Sequence, residues 1–218
     1  MLAMPAGSDD RLPAPDSPSR WRASPSRLSL LALGLALFGA GEALVVAASL
    51  GNSPWTVLAE GLAVHSPLGV GSATVAVSMV VLLAWIPLRQ RPGLGTIANA
   101  VMVGWVLGLV LAALGELDGT AVRVAGLLGG IGLVGLGSGF YLGAALGPGP
   151  RDGLMTGLHR RSGWPVAAVR GGIELSAVGV GAALGGTVGV GTLVFALLVG
   201  PAVALGLKGL SAVPAGEL

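Results

Sequence analysis

Three charged residues stand inside long apolar runs. Glu42 lies within Leu28–Leu50, and Arg170 and Glu174 lie within Pro165–Leu184. An ionisable group in apolar surroundings is costly, which makes these three the first candidates for a site that binds or moves a charge. Arg170 and Glu174 are one helical turn apart, where an i,i+4 ion pair forms. By helix rise, Glu174 is about 15 Å from the nearer end of its run. One reading makes the pair, joined by Glu42, a buried brace between helices. The other has Arg170 hold an anionic group while Glu42 or Glu174 takes up a proton. Under either, an unpaired charge would cost several kcal/mol, so pairing is expected. Asn99 is a lone polar group in a third run and reads first as an interhelical hydrogen bond.

Other chemistry is excluded or weak. The chain has no cysteine, which removes disulfides, thiolate catalysis and cysteine metal sites. Two histidines in separate loops, His65 and His159, do not make a zinc site. Neither a metalloprotease His-Glu-x-x-His nor a complete dinucleotide fingerprint is present. No catalytic residue, metal or cofactor is expected, and the protein is not read as an enzyme.

The elements that position these residues follow from composition. Of 218 residues, 53% are hydrophobic and 10% charged, and the mean hydropathy is +0.86. Soluble domains carry about 25% charged residues, so an integral membrane protein of the all-α class is expected. Six spans are predicted: Leu28–Leu50, Leu68–Leu88, Gly95–Leu114, Ala121–Leu146, Pro165–Leu184 and Thr192–Leu210. Each is close to the roughly 20 residues that cross a bilayer core about 30 Å thick. Two short helices, Pro54–Val64 and Pro150–Arg161, are predicted between spans, re-entrant or lying in the interface. Residues 1–27 read as a disordered cytoplasmic tail and 211–218 as a short one.

Ten of the twelve Lys/Arg fall in the tail, in the loops after the second and fourth spans, and at the end of the sixth span. The positive-inside rule therefore puts both termini in the cytoplasm. The expected setting is the bacterial inner membrane. The net charge of only +2 gives no reason to invoke nucleic acid. Expected partners are membrane lipids, a small-molecule or ion substrate, and a second copy of the chain. Trp55, Trp85, Trp164 and Tyr141 read as interfacial aromatics.

The chain repeats itself at an offset of 96. Eleven of 29 positions match between Gly34–Leu62 and Gly130–Leu158, and six of twelve between Gly93–Gly104 and Gly189–Gly200. Chance gives roughly one in ten. The repeats, 28–114 and 121–210, each hold three spans. An odd number makes the second copy enter from the opposite side, as in many secondary transporters. The offset pairs Gly51-Asn-Ser-Pro-Trp-Thr with Gly147-Pro-Gly-Pro-Arg-Asp. Pro54 and Pro150 suit the first helical position, with Ser53 and Gly149 as caps, and Asp152 complements the dipole of its helix. Arg151, with Arg160 and Arg161, reads as a partner for anionic headgroups. Glu60 would not favour anionic lipid, and its helix could dip into a cavity. The counterparts of Glu42, Arg170 and Glu174 are Ser138, Thr74 and Ser78, so the charges form one off-axis cluster.

The run Gly51-Asn-Ser-Pro-Trp-Thr-Val-Leu, then Gly95-Thr-Ile-Ala-Asn-Ala-Val-Met, then Gly147-Pro-Gly-Pro-Arg-Asp-Gly-Leu-Met resembles the YczE/YyaS/YitT type of bacterial membrane protein. The likeness covers nearly all of 28–210 and looks nearest the YczE branch, since the YitT branch often carries a soluble C-terminal domain and this sequence ends soon after the sixth span. It implies a multi-spanning membrane fold and no particular reaction. The function expected from the residues is a small secondary transporter or permease; the alternative is a non-transporting membrane scaffold or regulator.

Overall fold

A computed structural model describes residues 20–211. They form eight helices: α1 (Pro25–Ala47), α2 (Pro54–Val64), α3 (Val70–Ala84), α4 (Leu94–Leu114), α5 (Thr120–Gly143), α6 (Pro150–Ser162), α7 (Val166–Ala183) and α8 (Val190–Ser211). Among the described residues there is no strand. Helices α1, α4, α5, α7 and α8 are long and apolar enough to cross a membrane. Outward-facing Leu83, Trp105, Leu175, Leu193 and Leu205 are exposed, as lipid-facing residues must be.

Helix α3 falls short of the expected Leu68–Leu88. Its 15 residues rise about 22 Å. It stops at Ala84, just before Pro87, which has no N–H to continue the helix; the Trp85 indole is 3% exposed, and its Nε1–H donates to Pro150 O at 2.9 Å. Trp85 and Trp55 are therefore buried rather than interfacial, whereas Trp164 is exposed. Residues 1–19 and 212–218 of the expected tails lie outside the described residues. Residues 20–27 of the expected tail are instead tied to the bundle, with Ser24 capping α1 at Pro25. Leu94 N donates to Arg20 O at 3.0 Å, and the Arg27 guanidinium donates to Ala144 O and Ala145 O, both at 2.9 Å, at the C-terminus of α5.

Contacts recur at the spacing of the sequence repeat. Gly95 N donates to Leu146 O at 2.9 Å, and Gly191 N to Leu50 O at 2.7 Å. Thr96 Oγ1 accepts from Gly93 N at 3.1 Å, and Thr192 Oγ1 from Gly189 N at 3.2 Å. The backbone turns repeat too. Ser49 and Ala145 are left-handed at φ 51° and 53°, and Gly51 and Gly147 sit at φ 114° and 121°, a region that only glycine enters freely. Two apolar cores use counterpart residues: Leu31, Leu35, Tyr141 and Ala144 in one, and Leu127, Ile131, Val45 and Ala48 in the other.

Glycine makes the seams. Helices α1 and α5 cross with backbones in contact, since a methyl on Gly137 would lie 2.5 Å from Gly34 O and one on Gly41 2.6 Å from Gly130 O. The stripe of Gly135 and Gly139 packs on Ala202 and Gly206 of α8. This is the small-residue packing that lets helices associate without a hydrophobic gradient. One seam does not recur. Gly71 of α3 abuts Gly104 of α4, but around Gly200, the counterpart of Gly104, there is open space, and α7 makes no comparable seam with α8.

Candidate functional site

The chain after α1 doubles back, so the N-termini of α2 and α6 meet in the interior of the bundle. Between them lies a cavity of about 230 Å³ to which all eight helices contribute. Its wall is built from residues in repeat register: Glu42 with Ser138, Ser53 with Gly149, Pro54 with Pro150, Trp55 with Arg151, Ser78 with Glu174, and Asn99 with Phe195. It extends into the gap between α7 and α8, where Arg170, Ile173, Val199 and Gly200 line it.

Glu42 is 1% exposed. One oxygen, Oε2, accepts hydrogen bonds from Ser53 Oγ at 2.8 Å and Thr56 Oγ1 at 2.6 Å. These groups open α2, so the carboxylate also meets the positive end of that helix. Ser53 is the N-cap as expected, but its hydroxyl serves Glu42 rather than the backbone. The other oxygen, Oε1, is buried without a partner. Glu42 does not join the Arg170–Glu174 pair, because the fold-back of Gly51–Ser53 brings hydroxyls to it first. Arg170 and Glu174 do pair, Nε to Oε1 at 2.9 Å, with side chains 49% and 30% exposed.

Arg151 projects into the cavity, not toward headgroups. Its guanidinium carbon lies 5.2 Å from the centroid of the Trp55 ring. Among the described residues it has no hydrogen bond or ion pair. Burial pushes the guanidinium down from its ordinary value, and nearby Glu42 and Asp152 offset this only in part. Arg160 and Arg161, at the far end of α6, are exposed.

Asp152 sits in the first turn of α6 and accepts from Tyr141 OH at 2.8 Å. Tyr141 is 5% exposed, so it belongs to the site and not to an aromatic belt. Asn99 is in the wall as well. A methyl on Gly149 would lie 3.2 Å from Asp152 Oδ2, 3.3 Å from Tyr141 OH and 3.4 Å from Asn99 Nδ2, so these three polar groups converge there.

Of the residues singled out in the sequence, Glu42, Asn99, Pro54, Pro150, Arg151, Asp152, Arg170 and Glu174 thus share one cavity, and Glu60 lies apart from it. Glu60 accepts from Asn52 Nδ2 at 2.8 Å and from Thr187 N and Oγ1. Sequence reasoning missed Ser53 and Thr56 as partners of Glu42, and it missed the burial of Trp55 and Tyr141. One signal for Arg151 was available. It is nine residues from Arg160, about half a turn around a helix, so the two cannot share a face. No group of three His, Asp or Glu able to hold a metal occurs among the described residues.

No solved structure matches this chain with significance. An uncharacterised protein of Haemophilus influenzae is 37% identical over 185 residues, covering 85% of both chains. The uncharacterised membrane protein YczE of Bacillus subtilis is 34% identical over 185 residues, covering 83% of this chain and 82% of its own. With the helical fold and its membrane-length helices already described, the match of residues 25–208 to the model of a family of unknown function, DUF6198, means that the chain belongs to that family.

Proposed function

We propose that the protein is a small secondary transporter, built from two inverted three-span repeats that exchange access to the cavity between α2 and α6. In this reading α3 counts as the sixth span. It is extended by Leu68 and Gly69 at one end and by the turns after Trp85 at the other. Both termini face the cytoplasm, and the setting is the bacterial inner membrane. The observation that carries the reading is an asymmetry. Repeats with matching turns, cores and glycine contacts are packed differently around α3 and α7: the seam between α3 and α4 is closed, and its counterpart between α7 and α8 is open. An inverted pair in two packings has a second state of similar energy, in which the halves exchange roles. The polar, charged cavity lies where the halves meet, as expected of a site served from both sides.

The chain has no cysteine to remove, so paired cysteines test this directly. Ala167 of α7 and Gly200 of α8 are the counterparts of Gly71 and Gly104. Ala167→Cys with Gly200→Cys is expected to form a disulfide in native membranes, in a fraction of molecules that rises with time as α7 closes on α8. A rigid scaffold leaves both thiols free indefinitely, and that result, with the doubly substituted protein still folded, removes the transport reading.

A further inference from the structure

The ionic groups of the cavity do not all need a ligand. Arg170 and Glu174 neutralise each other, and Asp152 is held by the Tyr141 hydroxyl. Two groups are left over. Arg151 has the Trp55 face on one side and no partner for its N–H groups among the described residues. Glu42 has one oxygen doubly bonded and the other, buried, with none.

We propose that the cavity binds a small zwitterion, its carboxylate on the Arg151 guanidinium and its ammonium on the Glu42 carboxylate. The assignment rests on the transport reading of the same site and adds the substrate class. With the Trp55 ring on one side and no hydrogen bond from its N–H groups among the described residues, the guanidinium keeps donors that match a carboxylate in bidentate fashion. A buried carboxylate oxygen without a donor is expensive, and an ammonium removes that cost. A simple anion would satisfy Arg151 and leave Glu42 bare; a simple cation would do the reverse. Arg151 and Glu42 carry opposite charges, so a ligand that satisfies both carries both signs. The volume of about 230 Å³ lies below the roughly 300–1,000 Å³ of pockets for drug-sized molecules, so the ligand has few heavy atoms. The counterparts of Arg151 and Glu42 are Trp55 and Ser138, neither charged, so the ligand sits in one orientation across the repeat axis.

The test uses the purified full chain in nanodiscs, with thermal unfolding and tryptophan fluorescence as readouts. The probes are glycine, β-alanine and 4-aminobutanoate, against acetate, propanoate and ethylamine at equal concentration. At least one zwitterion is expected to raise the melting temperature and shift the emission, while the singly charged probes do neither to the same extent. Ligand binding to the native state raises its stability in proportion to ln(1 + [L]/Kd). Arg151→Gln and Glu42→Gln, each unfolding without ligand within a few degrees of the parent, are expected to weaken binding by at least about tenfold. Equal binding of acetate or propanoate makes this an anion site and overturns the proposal. Equal binding of ethylamine makes it a cation site, with the same consequence. Failure of all three zwitterions also overturns it. A chain that closes α7 on α8 in the disulfide assay yet binds no zwitterion keeps transport and loses only this substrate class.

Discussion

Arg151 and Trp55 occupy the same position in the two halves of the chain, ninety-six residues apart, and they stack on each other with the guanidinium carbon 5.2 Å from the ring centroid. Each follows the proline that opens its short helix, so the fold-back of both halves delivers them to one point. Identical residues there would bring two cations or two indoles together. A cation and an aromatic face attract, by about 0.5–2 kcal/mol depending on desolvation.

The stack predicts an unequal response to substitution. Arg151→Met loses the cation–π attraction but also removes a charge that lacks an ion pair, so stability is expected to change by no more than about 1 kcal/mol. Trp55→Leu leaves that charge without its aromatic cover and opens space in the cavity wall, at a cost of about 2–4 kcal/mol. The double variant is expected to fall short of the sum by about 1 kcal/mol, since the stack is lost only once. Denaturant unfolding of the four proteins measures all three terms, and strict additivity would mean the stack contributes nothing.

Much of this fold was legible because glycine and proline record backbone geometry. Pro54 and Pro150 start their helices where expected, and the offset of 96 seen in sequence returns as paired hydrogen bonds and paired left-handed turns. The site was legible in its inventory and illegible in its pairing. Glu42, Arg170 and Glu174 stood out because charge is conspicuous among leucines. That Glu42 would be met by Ser53 and Thr56 depends on a tight fold-back at Gly51, and local pattern does not say which helix the returning segment faces. Tyr141 and Trp55 misled for a related reason. An aromatic near a span end reads as interfacial until a neighbouring helix is known to cover it.

The glycines give a second prediction, because the structure separates those that pack from those that do not. A methyl on Gly137 would lie 2.5 Å from Gly34 O, at the central crossing of α1 and α5, and backbone cannot swing aside as a side chain can. Gly137→Ala is expected to destabilise by about 1–3 kcal/mol through overpacking. Gly129 and Gly132 are on the same helix, with nothing within 4 Å of the added methyl. Gly129→Ala and Gly132→Ala are expected to be neutral or to stabilise by up to about 1 kcal/mol, from the higher helix propensity of alanine. Thermal unfolding of the three variants in one detergent decides the matter, and equal losses at all three positions would contradict the assigned seam.

Glu60 supplies the last prediction, from an asymmetry outside the cavity. Its carboxylate accepts from Asn52 Nδ2 at 2.8 Å and from the backbone N–H and hydroxyl of Thr187, tying the entry of α2 to the loop between α7 and α8. Asn52 N also donates to Thr187 O at 3.1 Å. The second copy cannot form this latch, because Thr156, Pro148 and Arg91 stand at the matching positions. Glu60→Ala leaves the Asn52 amide and the Thr187 N–H without their acceptor, and is expected to destabilise by about 2 kcal/mol, since the bonds are to a charged group but partly exposed. Glu60→Gln keeps an acceptor oxygen and is expected to lose less. Thr187→Val removes one bond of the three, so its effect should largely vanish in the Glu60→Ala background. The pair of single variants and their combination, followed by thermal unfolding, measure the coupling. A coupling of zero would make Glu60 a solvated surface carboxylate and leave the contact between α2 and α7 to packing, including the close approach of Gly61 and Gly181.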